Sequence, residues 1–235
     1  MLIPVDNIDL ERIYTRTLGA GIRSLAVVSS CRGEGVSSLA ISLTHRHLLS
    51  GKSTLFVDLN YESTEHLPML PSDNIETPLA IGRPQLLSSK DEHFAFLGIP
   101  APAKTTGCLK WRDPGILEQQ MANWLEEFDA VIVDAGSLKQ HKNALMPSER
   151  IVAACQSGIL VVMAGITTVP MIQHSYKLVK NGGGNLVGCV FNDLFNPSLA
   201  CELQRETNRI PIYFNQISEK ITNWIKTNRL LSIEV

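Results

Sequence analysis

The segment SLAVVSSCRGEGVSSLAISL, residues 24–43, constrains the fold more than any other stretch of the chain. Ser24 to Ser29 form a short apolar run rich in valine. Residues 37–49 then place Leu39, Leu43 and Leu48 near one face, with His and Arg on others. A strand passing through a glycine-bearing turn into a helix is the pattern this predicts. Gly51 ends the helix, and STLFVDLN supplies a second buried strand finishing at Asp58. Two strands joined through a helix at this spacing imply a right-handed crossover in a parallel sheet.

The alternation continues beyond residue 110. Asp113 reads as a cap and Pro114 as a first-turn residue of a helix whose apolar stripe is Ile116, Leu117, Met121, Trp124, Leu125 and Phe128. DAVIVDAG is a strand ending on an aspartate, and SGILVVMAG is another. Thr167 and Thr168 precede a helix starting near Pro170, which carries Ile172, Tyr176 and Val179 and stops at the glycines of NGGGN. NLVGCVFND gives a fifth strand and residues 198–208 a short helix. The closing NQISEKITNWIKTNRLL has Ile217, Ile221, Trp224, Ile225 and Leu230 on a helical period, a face for the sheet or for a partner.

Short apolar strands alternating with helices predict an α/β fold: a three-layer, open, mostly parallel sheet with helices on both faces. At 235 residues and 44% hydrophobic content, one such domain accounts for residues 1–235. The exception is 61–110, where Pro68, Pro71, Pro78, Pro84, Pro100 and Pro102 interrupt any long element and only FAFLGIP reads as a strand. That stretch is expected to be an irregular elaboration beside the sheet.

Charge and cysteine usage narrow the partners. A formal net charge of -2 leaves no global field for steering onto nucleic acid or an anionic bilayer, so no nucleic-acid partner is expected. The five cysteines form no CxxC pair, which fits a reducing, cytoplasmic setting. The start MLIPVDNIDLERIY has no basic segment ahead of an apolar core, and no uncharged run reaches the roughly 20 residues of a membrane helix. The six histidines are dispersed, and His45 and His47 are two apart on a helix, the wrong spacing for a shared face; all read as surface groups. Cys31 has no histidine base near it in sequence, so thiol catalysis has no support.

In such sheets ligands sit beyond the carboxyl ends of the strands, where Ser29 to Ser37, Asp58, Asp134, Gly165 to Thr168 and Asn192 all fall. The turn SCRGEGVSS offers Cys31, Arg32, Gly33, Glu34, Gly35, Val36, Ser37 and Ser38 as nucleotide-contacting positions, because backbone N–H groups at a helix start grip phosphate without help from side chains. A phosphate loop adds a lysine for the terminal phosphates and a hydroxyl for magnesium. The hydroxyls Ser37 and Ser38 are present, but Val36 stands in the lysine position. Asp58 and Asp134, each following apolar residues, suit carboxylates directed at magnesium, so Ser37, Asp58 and Asp134 form the candidate metal set. Aspartates also cap turns after strands, and either one alone would be read that way.

On these motifs the chain resembles the bacterial tyrosine kinases of exopolysaccharide biosynthesis, a branch of the MinD and ParA type of deviant P-loop proteins. Their loop commonly ends Gly-Glu-Gly-Lys-Ser or Thr, against GEGVSS here. Their second motif is Asp-x-Asp, against Asp58-Leu59-Asn60, and their third is Asp-Thr or Ser-Pro-Pro, against Asp134-Ala135-Gly136-Ser137 without the prolines. GILVVMAGITT is similar to the family's strand into a Gly-x-Thr-Thr turn. LVGCVFN is similar to its Gly-x-Val-x-Asn strand, which implies an adenine contact for Asn192. The resemblance runs from about residue 10 to 225.

Two departures bear on activity. The family's kinases end in clustered tyrosines, whereas NQISEKITNWIKTNRLLSIEV has none, and ERIYTRTLG lacks the family's Glu-x-x-Arg-x-x-Arg spacing for ring assembly. Losing the lysine removes several kcal/mol of transition-state stabilisation, on the order of 10³-fold in rate, and weak nucleotide binding survives that loss more easily than chemistry does. The expectation is a pseudo-enzyme. Asp58 and Asp134 would be vestigial catalytic residues, with no cofactor beyond weakly held ATP or ADP with magnesium. What the resemblance implies is a regulatory or scaffolding subunit, homo- or hetero-oligomeric, recruited by protein components of a membrane-associated polysaccharide synthesis or export machine; the apolar stripe of the terminal helix offers Trp224 and Ile225 as partner contacts. An active ATPase or tyrosine kinase using a replacement cation, and a MinD-like positioning factor, are the alternatives.

Overall fold

The computed structural model describes residues 2–60, 84–88, 95–99, 112–113, 115–139 and 146–193. The chain divides into two compact units: Met1–Val162 with Thr167–Phe191, and Met163–Ile166 with Asn192–Val235. The expected helices at 198–208 and at the C-terminus, with Trp224 and Ile225, lie outside the described residues, as does Pro114.

The described elements are α1 (Ile8–Arg16), β1 (Ser24–Ser29), α2 (Val36–Leu49), β2 (Thr54–Asp58), β3 (Gln85–Ser88), β4 (Ala95–Ile99), α3 (Ile116–Glu127), β5 (Ala130–Ser137), α4 (Ser148–Ala154), β6 (Ser157–Met163), α5 (Val169–Asn181) and β7 (Leu186–Asn192). The seven strands form one sheet in the order β3-β4-β2-β5-β1-β6-β7. The pairings β4-β2, β2-β5, β5-β1 and β1-β6 are parallel, and β3 is antiparallel to its neighbour β4. The fold is the predicted α/β architecture. One feature differs from the simplest crossover: β1 and β2 are not neighbours, because β5 lies between them.

Alternation along the central strands explains why both faces are covered. Ala26, Val28, Leu55, Val57, Val131 and Val133 point into one core with Leu117, Met121 and Trp124 of α3, Ile151 and Val152 of α4, and Val179 of α5. Leu25, Val27, Phe56 and Ile132 point into the other, against Leu10 of α1 and Val36, Leu39, Ala40 and Leu43 of α2. A strand buried on both faces is apolar through its interior, as Leu25–Val28 of β1 and Leu55–Val57 of β2 are, with buried polar residues confined to the strand ends.

Several local readings change. The stretch 61–110 is not wholly irregular beside the sheet, since β3 and β4 extend the sheet by two strands and Phe96 of β4 meets Phe56 edge-on with ring centroids 5.5 Å apart. The helix after Asp113 begins at Ile116 with Gly115 at its cap position. β5 does not end on Asp134 but runs three residues further. His47 is buried rather than a surface group, with its Nδ1 3.2 Å from the Tyr14 hydroxyl of α1, and burial lowers its pKa. The packing of α1 against α2 removes that histidine from water, helped by the Arg46 guanidinium that donates to both carboxylate oxygens of Glu11.

Candidate functional site

The phosphate-type loop is built by β1 running into α2. Gly35 occupies the cap position of α2 at φ 100, a left-handed conformation that a side chain disfavours, so glycine is required there. Val36, the first residue of α2, is 5% exposed and belongs to the α1–α2 core. Its side chain therefore packs into the protein where the resembled family carries a cation.

Glu34 lies beneath the loop, 2% exposed. Its Oε2 accepts the N–H of Ser30 at 2.9 Å and of Cys31 at 3.1 Å, and its Oε1 accepts the hydroxyl of Thr167. Ser30 is tied separately to α5, its Oγ 2.9 Å from the Ser175 Oγ with both residues buried. Buried donors need acceptors, and one carboxylate supplies three of them, which makes Glu34 an internal anchor of the loop rather than a solvent-facing turn residue.

The acidic edge is built by neighbouring parallel strands, on which Asp58 of β2 and Asp134 of β5 are register partners. Each does what an aspartate after a strand does locally: Asp58 Oδ1 accepts the Asn60 N–H at 2.9 Å, and Asp134 Oδ1 accepts the Gly136 N–H at 3.1 Å. The turn reading thus holds for one oxygen of Asp58, which ends β2, whereas Asp134 makes the same local bond inside β5. Asp134 is wholly buried, and its Oδ2 has no hydrogen-bond partner among the described residues. Burial raises the pKa of Asp58, the charge of Asp134 raises it further, and the Asn60 N–H opposes the rise. Burial also raises that of Asp134, against the Ser37 hydroxyl, the Gly136 N–H and the Asn60 amide. Ser37 and Asn60 favour the charged form from nearby, yet neither meets Oδ2 in hydrogen-bonding geometry.

A bulge shapes this edge. Between the pairs Val27–Asp134 and Ser29–Ser137, β5 has one residue more than β1. Gly136 sits in the bulge at φ 66, and a Cβ there would come within 2.7 Å of Asn60 Oδ1, so the glycine lets the Asn60 side chain lie against β5. The Ser148 hydroxyl at the start of α4 donates to the carbonyls of Ala135 at 2.8 Å and Ser137 at 2.9 Å, holding the bulge from outside. Asn60 Nδ2 in turn reaches the Ser37 Oγ at 3.4 Å, which joins the acidic edge to the loop.

Between them lies a cavity of ≈ 200 Å³. Arg32, Gly33, Gly35, Val36, Ser37 and Ser38 line one side; Asn60, Gly136 and Ser137 line the other. The structure thus gathers six of the eight predicted loop positions around one cavity, leaves Cys31, Glu34 and both aspartates out of its lining, and sets the aspartates on the strands that end beside it. Cys31 is half-buried, its N–H held by Glu34 and its carbonyl accepting the Ser29 hydroxyl at 2.7 Å. Asn192 falls in the second unit, where its carbonyl accepts the Ala164 N–H at 2.9 Å. Sequence reasoning missed Glu34 as an anchor, Thr167 as its hydroxyl partner, Ser175 as the partner of Ser30, and the Gly136 bulge. Only Gly136, a glycine two residues after a strand aspartate, carried a local signal.

Two carboxylates and a hydroxyl are oxygen donors of the kind magnesium takes, and a buried carboxylate oxygen without a partner fits a cation. Ser37, Asp58 and Asp134 are the residues that would hold it, and the ion would neutralise phosphate charge there.

No protein-family model matches the chain, and no curated protein matches its sequence. Solved structures do match. The kinase domain of Escherichia coli tyrosine kinase ETK superposes with a TM-score of 0.54 at 16% identity, over 81% of this chain and 80% of that one. The chimerical protein CapA2B2 gives 0.57 at 16%, over 78% and 82%. Cobyrinic acid a,c-diamide synthase from Mycobacterium smegmatis, solved with bound ADP and magnesium, gives 0.56 at 18%, over 88% and 97%. The shared feature is the P-loop NTPase type of fold. Among the described residues no helix is long and apolar enough to cross a membrane.

Proposed function

We propose that the protein is a kinase-like P-loop subunit that has given up phosphoryl transfer and acts as a regulatory or scaffolding component of a bacterial exopolysaccharide synthesis or export complex. The observation that carries the non-catalytic part is Val36, buried in the core at the position of the phosphate-binding lysine, in a loop whose glycines and hydroxyls remain. Phosphoryl transfer depends on charge stabilisation at the transferring group. Asn60, in place of the second acid, weakens the metal edge further. The retained cavity supports weak binding of ATP or ADP with magnesium through Ser37, Asp58 and Asp134. The pathway and the membrane-associated protein partners rest on the resemblance in motif and on the likeness to a tyrosine kinase domain; Trp224 and Ile225 stay proposed contacts.

The test is an assay of magnesium-dependent ATP turnover and protein phosphorylation on the full chain. The expected result is no turnover above that of a D134N control. Robust wild-type turnover that disappears in D134N would overturn the reading in favour of an active ATPase or kinase.

A further inference from the structure

Ten of the described residues line the cavity between the loop and the acidic edge, and among them Arg32 is the only charged one. Glu34, Asp58 and Asp134 all stay out of the lining. The walls are therefore polar, through the hydroxyls of Ser37, Ser38 and Ser137 and the Asn60 amide, with a single formal charge that is positive. Neutral hydroxyls and an amide beside one guanidinium suit an anion.

The loop backbone sets where that charge stands. The Cys31 N–H donates to the Glu34 Oε2 at 3.1 Å, which pins the chain one residue before Arg32. Gly33, one residue after it, takes φ 83, a left-handed turn that favours glycine. Arg32 thus sits between an anchored residue and a glycine turn, exposed and on the cavity wall. Glu34, the acid closest to it in sequence, has both oxygens engaged beneath the loop by Ser30, Cys31 and Thr167. Val36, four residues on, is packed into the α1–α2 core.

We propose that Arg32 is the phosphate-binding cation of this site: the positive charge that a phosphate loop carries at the start of its helix has moved four residues back, onto the loop, and changed from an ammonium to a guanidinium. This rests on the reading of the loop as a nucleotide site and names the side chain that gives it affinity. The ligand is a nucleoside di- or triphosphate, whose oxygens the planar guanidinium meets in pairs. The move separates binding from chemistry. A charge enclosed with the transferring phosphoryl group stabilises its transition state, whereas an exposed one is screened by solvent and salt and serves the bound ground state.

The experiment is calorimetric titration of the full chain with ATP in excess magnesium, on wild type, R32Q and R32K, at ionic strengths of about 0.1 M and about 1 M, between which the screening length falls from about 10 to about 3 Å. Thermal unfolding accompanies each titration, and replacing an exposed arginine should leave the midpoint nearly unchanged. At the lower ionic strength R32Q is expected to bind at least about fivefold more weakly than wild type, the scale of one charge-assisted contact at an exposed position, with R32K between the two. Salt should weaken binding to wild type and R32K and affect R32Q less. A folded R32Q protein whose affinity and salt dependence match wild type overturns the assignment of Arg32 and leaves the nucleotide reading standing. A loss in R32K as large as in R32Q, with salt dependence unchanged, makes the side chain a packing element and likewise overturns the assignment. No binding of ATP or ADP to wild type at millimolar concentration, with magnesium or in EDTA, overturns both readings.

Discussion

Two acidic centres lie buried at the same edge of the sheet, and they are opposites in how their oxygens are used. Glu34 receives two backbone N–H groups and a hydroxyl, so both of its oxygens are matched. Asp58 and Asp134 face each other across a strand pair, and one oxygen of Asp134 is matched by nothing described. A buried carboxylate whose acceptors are all filled is part of the scaffold, whereas one with an unfilled acceptor beside a second acid has the donor chemistry a cation takes. The contrast gives the two centres opposite expected responses to mutation, pH and magnesium.

The largest effect belongs to Glu34. Its replacement in E34A strands the N–H groups of Ser30 and Cys31 and the Thr167 hydroxyl together. Ser30 is buried and Cys31 and Thr167 are half-buried, so at roughly 1 to 3 kcal/mol for a fully buried unsatisfied donor the loss in urea unfolding should reach about 3 kcal/mol. A cost well under 1 kcal/mol would show that water replaces the carboxylate, and the scaffold assignment would fall.

The aspartate pair should respond with the opposite sign. Burial, and secondarily the charge of Asp134, raise the folded-state pKa of Asp58 from 3.8 to about 8, and burial raises that of Asp134 from 3.8 to about 6. The folded protein therefore holds protons that the unfolded chain releases above about pH 4. The associated stability is complete below that pH and is lost as pH rises through 6 and 8, the pair titrating as a unit. In EDTA at pH 8, D58N should be more stable than wild type by on the order of 2 kcal/mol, with a flatter pH profile. A profile of unchanged slope in D58N would rule out a raised pKa for Asp58.

Magnesium should then act on one centre only. At a free concentration tenfold above its dissociation constant, an ion bound only to the folded state adds about 1.4 kcal/mol. Thermal unfolding of wild type should shift upward accordingly, and D134N should not respond. A D134N protein that still responds fully would place the ion elsewhere.

The sequence reads well where one strand or turn carries its own evidence and poorly where partners are distant. β1, β2 and β6 are legible because a strand buried between layers is apolar through its interior, and Asp58 and Asp134 stand out as charges after such apolar residues, whereas β7 is apolar in sequence but largely exposed. β3 is four residues long in proline-interrupted chain, and α4 is seven residues long with only Ile151 and Val152 to mark an apolar face, so neither has enough period to declare itself. Glu34 in a Gly-Glu-Gly turn looks like a solvated residue, because the hydroxyl that meets its Oε1 lies 133 positions away. His47 was misread for the same reason: the Tyr14 that covers it is on another helix, 33 residues earlier.

The smallest effect tests how far the scaffold around Glu34 extends. Ser175 of α5 meets Ser30 through a single neutral hydrogen bond, at 2.9 Å, in a contact that spans 145 residues of sequence. S175A removes one partner and leaves the Ser30 hydroxyl to find another, so the cost should be about 1 kcal/mol, well below that of E34A. The substitution touches neither aspartate and no residue lining the cavity. The pH profile and the magnesium response should therefore keep their wild-type form while the unfolding midpoint moves down. Two readouts on one variant separate the possibilities. A lowered midpoint with an intact magnesium response makes Ser175 an outlying support of the loop. A magnesium response lost along with the midpoint would mean that the anchoring of the loop and the acidic edge form one cooperative unit, and the division between a filled and an unfilled centre would have to be abandoned.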